Sequence, residues 1–188
     1  ASANLAYDRG VMITVGLDTG TDIIFEVVNG NGIHGADALK NFDKDSFNNF
    51  FGRVSQRITD FLRVGAFGYL GKEKITSSSM TDSEQEILMW GPDLTLGNDI
   101  LELNCQYIYR KDSFVKDIKT EGLLAELIYM PKGDESKWYI VGLYNMVDSD
   151  IESLKYQTAV FHTGYLFRRN IRMVAEYKYD FERKYNTF

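Results

Sequence analysis

Apolar and polar residues alternate with a period of two along nearly the whole chain. Residues 100–110 give the clearest example, with Leu101 and Leu103 on one face of an extended segment and Glu102 on the other. Residues 171–181 repeat this alternation. No segment of useful length places apolar residues at the i, i+3, i+4 and i+7 spacing of a helix. The pattern therefore predicts an all-β protein.

The alternating segments come in pairs joined by short turns such as Asp18-Thr19-Gly20-Thr21, whose residue types favour tight turns. We expect ten antiparallel strands in five hairpins. The predicted strands are residues 11–17, 22–29, 50–58, 61–70, 86–96, 100–110, 121–130, 138–147, 156–167 and 171–181.

The connections between hairpins are longer and polar, and they fall at residues 30–49, 71–85, 111–120 and 148–155. Because antiparallel strands place alternate connections at opposite ends, one rim would carry tight turns and the other rim long loops. The predicted strands are also long: roughly 9–11 residues, as a tilted strand needs to cross a bilayer, against about 5–6 in soluble proteins. Both features are typical of outer-membrane barrels.

Aromatic residues gather near the predicted strand ends, where two belts would meet the boundaries between lipid and water. Those beside the turns are Phe61, Tyr129, Trp138, Tyr139, Tyr165 and Phe167, and those toward the loops are Tyr69, Tyr107, Tyr109, Tyr179 and Phe181. The sequence therefore predicts a transmembrane antiparallel up-and-down β-barrel of the bacterial outer membrane.

Length and composition are consistent with one domain over residues 1–188, with 44% hydrophobic residues. Mean hydropathy is −0.27. Apolar runs such as residues 87–90 are far shorter than the roughly 20 residues of a transmembrane helix. The net charge of −6 argues against a nucleic-acid partner.

The alternation of short and long connections determines at which rim the two termini of the domain lie. The first and last predicted hairpins both use a short turn, so both termini would lie at the rim of the long loops. Complete single-chain bacterial barrels normally place both termini at the opposite rim. We therefore expect at least one strand before Ala1 and one after Phe188, and a parent barrel of twelve to sixteen strands or more.

Candidate chemistry is sparse. Cys105 is the single cysteine, and His34 and His162 are the two histidines, without a ligand at metal-binding spacing. Acidic residues within 43–45 and 148–152 favour solvated loops over calcium sites. No nucleophile and base can be paired, so we expect no enzyme, no cofactor and no metal.

Charged and polar residues inside the strands are the candidate site. Each Arg or Lys placed on the lipid face would cost about 2–4 kcal/mol at mid-membrane, so these residues should line a pore. The pore-lining candidates are Arg53, Arg57, Arg63, Glu102, Gln106, Arg110, Glu126, Arg172, Glu176 and Lys178. The three arginines of one hairpin either form a cationic strip that attracts anions or pair with neighbouring acids and stiffen the wall.

Several segments resemble phosphate-selective porins of the O and P family. They are residues 16–22 (GLDTGTD), 27–32 (VVNGNG), 62–69 (LRVGAFGY), 122–126 (GLLAE), Trp138-Tyr139, 168–172 (RRNIR) and 176–177 (EY). The resemblance implies a larger barrel, commonly sixteen-stranded and often a homotrimer. Members of that family pass small solutes by diffusion and use lumenal Arg and Lys for anion preference.

Three functions remain open from the sequence. The first is a porin-like channel for small solutes or ions, in contact with outer-membrane lipid. The second is a barrel that sheathes a multihaem cytochrome, whose haem would belong to a periplasmic or extracellular partner because this chain has no C-x-x-C-H motif. The third is a soluble β-barrel or sandwich that binds a ligand.

Overall fold

The computed structural model describes residues 9–29, 48–76, 82–113, 116–168, 171–182 and 185–187. One antiparallel sheet contains the eleven strands of these described residues, and each strand pairs with its neighbours in the chain. The strands are β1 (Gly10–Gly16), β2 (Thr21–Val28), β3 (Asn49–Thr59), β4 (Leu62–Thr76), β5 (Asp82–Gly97), β6 (Leu101–Ser113), β7 (Asp117–Tyr129), β8 (Trp138–Ser149), β9 (Tyr156–Arg168), β10 (Ile171–Asp180) and β11 (Tyr185–Thr187). Two single turns of 3₁₀ helix, Gly133–Glu135 and Glu152–Leu154, interrupt the connections.

The two faces of this sheet differ in polarity, because the strand registers keep the alternation in phase from strand to strand. We call the face that carries Leu127 and Met173 the apolar face; these side chains are 45% and 61% exposed. The face that carries Arg53 and Glu102 is the polar face. The all-β, up-and-down architecture predicted from the sequence is confirmed.

The sheet is curved but not closed. Among the described residues, β1 pairs with β2 alone and β11 pairs with β10 alone, so both are edge strands. Met12 of β1 and Val147 of β8 nevertheless line one cavity, which places the polar face on the concave side. The described strands thus form an open, curved wall and not the closed barrel that the sequence predicted.

The strands extend beyond their predicted ends toward the loops. β4 continues to Thr76 and β5 begins at Asp82, within the predicted loop 71–85. β6 and β7 likewise leave only three residues of the predicted loop 111–120. The polar composition of these segments predicted loops, but strand pairing between β4 and β5 continues as far as Thr76 and Asp82. In this extension an ion pair joins Lys72 to Glu86 at 2.7 Å. The predicted loop 148–155 agrees to within two residues with the end of β8 at Ser149 and the start of β9 at Tyr156. Residues 30–47 of the predicted loop 30–49 lie outside the described residues.

An eleventh strand was not among the ten predicted. β11 has three residues, too few to show an alternation, and it is recognised only by its pairing with β10 at Lys178, Tyr179 and Asp180.

Few apolar side chains are buried in this single-layer sheet. The buried cluster consists of Tyr69, Ile87 and Met89, with Val28 and Phe51 packed against it. The registers place these residues on the polar face, toward the rim where the longer connections lie. The apolar face is therefore not the core of the described residues.

Candidate functional site on the two faces of the sheet

A band of exposed apolar side chains crosses the apolar face. In β4 it runs through alternate positions from Leu62 to Leu70 and ends at Lys72. Eight residue steps correspond to about 26 Å along a strand. In β7 the band starts at Tyr129 and ends before Glu121. Contiguous apolar surface of this extent is rare on proteins that face water on all sides.

Aromatic side chains cluster at both ends of the band. At the turn rim, the rings of Tyr129 and Trp138 lie 5.7 Å apart and those of Tyr165 and Phe167 lie 4.8 Å apart. At the other rim, Trp90 contacts both Tyr107 and Tyr109, with ring centroids 6.1 and 5.8 Å away, and Tyr179 contacts Phe181 at 4.9 Å.

Two aromatic residues predicted for the belts lie elsewhere. The side chains of Tyr69 and Tyr139 are on the polar face, where Tyr69 accepts a hydrogen bond from Asn49 and the hydroxyl of Tyr139 lies 3.0 Å from Nε2 of His162. Their position in the alternation, rather than their distance from a turn, decides which environment they face.

All ten pore-lining candidates fall on the polar face by strand register. Arg53 forms a bidentate ion pair with Asp93, in which Nη2 and Nε of the guanidinium lie 2.7 and 3.2 Å from the carboxylate oxygens. Arg63 contacts Asp22 at 2.6 Å. Arg57, the third arginine of that hairpin, forms no ion pair with a described residue. Two of the three arginines therefore pair with acids across the wall.

Both of these ion pairs skip a strand. Arg53 lies on β3 and reaches Asp93 on β5 across Gly65 of β4, where a Cβ would come within 2.6 Å of the Asp93 carboxylate. Arg63 on β4 similarly reaches Asp22 on β2 across Ser55, which is 1% exposed. A small residue on the intervening strand makes room for each guanidinium.

Further polar ladders cross the same face. Arg110 holds Asp112 through two hydrogen bonds of 2.7 Å, and Gln85 donates to the same carboxylate at 3.0 Å. Asn104 donates to Glu102 at 2.8 Å and to Glu126 at 3.4 Å. These bonds tie β5, β6 and β7 together on the concave side.

A Tyr–His–Glu chain links β8, β9 and β10. His162 contacts Tyr139 through Nε2 and Glu176 through Nδ1, at 3.0 and 3.2 Å. Arg172 lies over the Tyr139 ring at 5.6 Å. Gly164 makes room for that ring, since a Cβ there would lie 2.5 Å from it. His162 was considered from the sequence only as a metal ligand and was not among the pore-lining candidates, although it lies opposite Glu176 across the last long hairpin.

The polar face is not uniformly polar. Lys178 lies opposite Val160 and forms no ion pair with a described residue. Around it, the concave sides of β7 to β9 carry half-buried aliphatic residues, namely Leu124, Ile128, Val141, Leu143 and Val160.

The described residues of the concave side line at least two cavities. The larger, about 820 Å³, is lined by residues of β1 to β8, including Arg53, Gln106 and Arg110. The smaller, about 410 Å³, lies at the turn rim and is lined by Arg57, Arg63 and Glu102 among others.

The acidic connection after β8 is occupied by its own contacts. Lys155 contacts Glu152 at 3.0 Å and Asp148 at 3.6 Å, and its pKa is raised chiefly by the hydrogen bond to Glu152. Asp150 accepts a hydrogen bond from the backbone of Lys119. In the described part of the chain, no group of three or more His, Cys, Asp or Glu residues could hold a metal ion. His34, Asp43 and Asp45 lie outside the described residues.

Among the described residues, no helix is both long enough and apolar enough to span a bilayer. No protein-family model matches the sequence, and no curated protein matches it significantly.

Proposed function

We propose that the chain forms part of the wall of a bacterial outer-membrane β-barrel and lines a channel through which small solutes or ions diffuse passively. One observation carries the proposal: the exposed apolar band lies on the convex side, whereas the charged, hydrogen-bonded residues lie on the concave side. Hydrocarbon on one side and water on the other would satisfy both faces.

The open edges of the sheet fit this proposal only within a larger assembly. In hydrocarbon, each unpaired backbone N–H or C=O group costs several kcal/mol, so β1 and β11 need partner strands. A barrel of twelve to sixteen strands or more would supply them. The homotrimer implied by the porin resemblance stays part of the proposal, as does a location in the outer membrane.

An anion preference would rest on few residues. Arg53 and Arg63 are neutralised by Asp93 and Asp22, which favours their role as braces of the wall. Arg57 is then the cation of that hairpin that forms no ion pair with a described residue, and it lies at the mouth formed by the turn rim. We therefore expect a weak preference at most.

The orientation can be tested with two neighbouring positions. Cys105 lies on the apolar face and Gln106 on the polar face at the same depth of β6. In lipid vesicles, a membrane-impermeant maleimide should leave Cys105 unmodified and should label Gln106→Cys in a Cys105→Ser background. Rapid labelling of Cys105 together with protection of the cysteine at 106 would contradict the proposal.

The channel itself is tested by reconstitution. The protein in planar lipid bilayers should produce discrete conductance steps. In a salt gradient across the bilayer, the reversal potential should lie close to zero, because the preference for anions is weak. Vesicles that carry correctly oriented protein but never conduct would overturn the channel while leaving the membrane wall in place.

A second candidate function is a sheath around a partner protein. The aliphatic residues on the concave sides of β7 to β9, such as Leu124 and Leu143, favour it because a purely water-filled bore gains nothing from them. A haem protein in the lumen would co-purify from the membrane with a strong Soret absorbance. Purified protein without that absorbance, but with conductance, would exclude the sheath.

A further inference from the structure

The larger cavity on the concave side has the size and lining of a small-molecule site. Its volume of about 820 Å³ lies within the roughly 300–1,000 Å³ of typical ligand pockets. Apolar and aromatic side chains dominate its wall, among them Phe51, Phe67, Met89 and Ile108. The cavity is therefore an apolar region of the polar face, beside side chains that form ion pairs.

The aromatic wall is held in place before any ligand arrives. The rings of Phe51 and Phe67 are stacked with centroids 6.2 Å apart. Tyr69 is 4% exposed, and its hydroxyl accepts a hydrogen bond of 2.9 Å from Asn49. A preformed wall loses little conformational entropy on binding.

The charges around the cavity leave an excess of negative charge. Arg53 is neutralised by Asp93 and Arg110 by Asp112. Glu26 also lines the cavity, directly opposite Phe51 in the register of β2 and β3. No hydrogen bond or ion pair joins Glu26 to another residue in the described part of the chain. A carboxylate beside aromatic rings favours a cation, which the ring faces also attract.

We propose that this cavity binds a small solute with an aromatic or alkyl body and one ammonium group. The body would lie against Phe51 and Phe67, and the ammonium group would contact Glu26. Binding here does not depend on the proposed channel, since a site on the concave face can be occupied in detergent whether or not the protein conducts.

Three phenyl probes of similar size separate the contribution of charge from that of the aromatic body. Detergent-solubilised protein is titrated with 2-phenylethylammonium, 2-phenylethanol and phenylacetate, and binding is followed by saturation-transfer NMR. The order expected is ammonium, then alcohol, then carboxylate. Equal binding of all three, preference for phenylacetate, or no binding of the ammonium probe would overturn the proposal.

Two variants locate the site. Glu26→Gln should weaken 2-phenylethylammonium about tenfold and leave 2-phenylethanol unchanged, since only the charge is removed. Phe51→Leu should weaken both probes alike. Glu73→Gln, which removes a carboxylate of the same face outside the cavity wall, serves as the control. The site is refuted if Glu26→Gln binds the ammonium probe as tightly as Glu73→Gln does.

Discussion

The two faces of this sheet are built on the same strands, yet their side chains are held in different ways. On the polar face, residues such as Arg53, Asp93, His162 and Glu176 make directed hydrogen bonds. On the apolar face, side chains such as Met173 are exposed, and ring contacts are the main specific interactions. In contact with lipid, as proposed, the apolar face should tolerate changes of shape but not of charge, whereas the polar face depends on particular partners.

The largest effect is expected from a charge on the apolar face. Leu127→Arg should lower the free energy of unfolding in lipid vesicles by about 2–4 kcal/mol, because the guanidinium would enter hydrocarbon. Leu124→Arg, on the polar face of the same strand, should cost less than about 1 kcal/mol, because its charge can reach water. Urea titrations of both variants give the comparison, and equal losses would show that the faces do not differ in environment.

Removal of an ion pair that links strands on the polar face should lower the free energy of unfolding by an intermediate amount. Asp93→Asn leaves the partly buried Arg53, 32% exposed, without its carboxylate and should cost about 1–2 kcal/mol after allowance for solvent screening. Asp22→Asn breaks the more exposed Arg63 pair and should cost at most about 1 kcal/mol. The ranking is checked by the same unfolding titration. A larger loss from Asp22→Asn would contradict the assigned role of burial.

The smallest change in the free energy of unfolding is expected where the Tyr139 ring packs against Gly164. Gly164→Ala places a methyl group against Tyr139, so the ring must turn away and its hydrogen bond to His162 must lengthen. A loss of about 1 kcal/mol is expected, the value of one net hydrogen bond. In a Tyr139→Phe background, which already lacks the hydroxyl, the same glycine substitution should cost less. Equal costs in the two backgrounds would exclude a contribution of that hydrogen bond.

The strands were predictable because their signal is local. Alternation at residues such as Leu101, Glu102 and Leu103 depends only on the two-residue period, and the registers place all ten pore-lining candidates on one face, as that period predicts. Strand ends were less predictable, because Glu73 and Gln85 lie in a segment of loop-like composition but pair with each other in a continuing ladder. The assignment of Tyr69 and Tyr139 to the belts was wrong because it used distance from a turn instead of parity.

Partners on the polar face could not be read from the sequence. Arg53 and Asp93 lie forty positions apart and two strands apart, and their contact requires Gly65 between them. The sequence left open whether the arginines form a free strip or brace the wall, and the registers of three strands answer this for Arg53 and Arg63. The Tyr139–His162–Glu176 chain likewise needs two registers at once.

The sequence by itself determined that this is an all-β chain and which residues of a strand share a face, because side-chain direction in a strand follows directly from position. The tertiary structure decided which carboxylate each arginine meets, where the concave cavity forms and that the described sheet stays open. Those features depend on the register and curvature of many strands together, which no local pattern encodes.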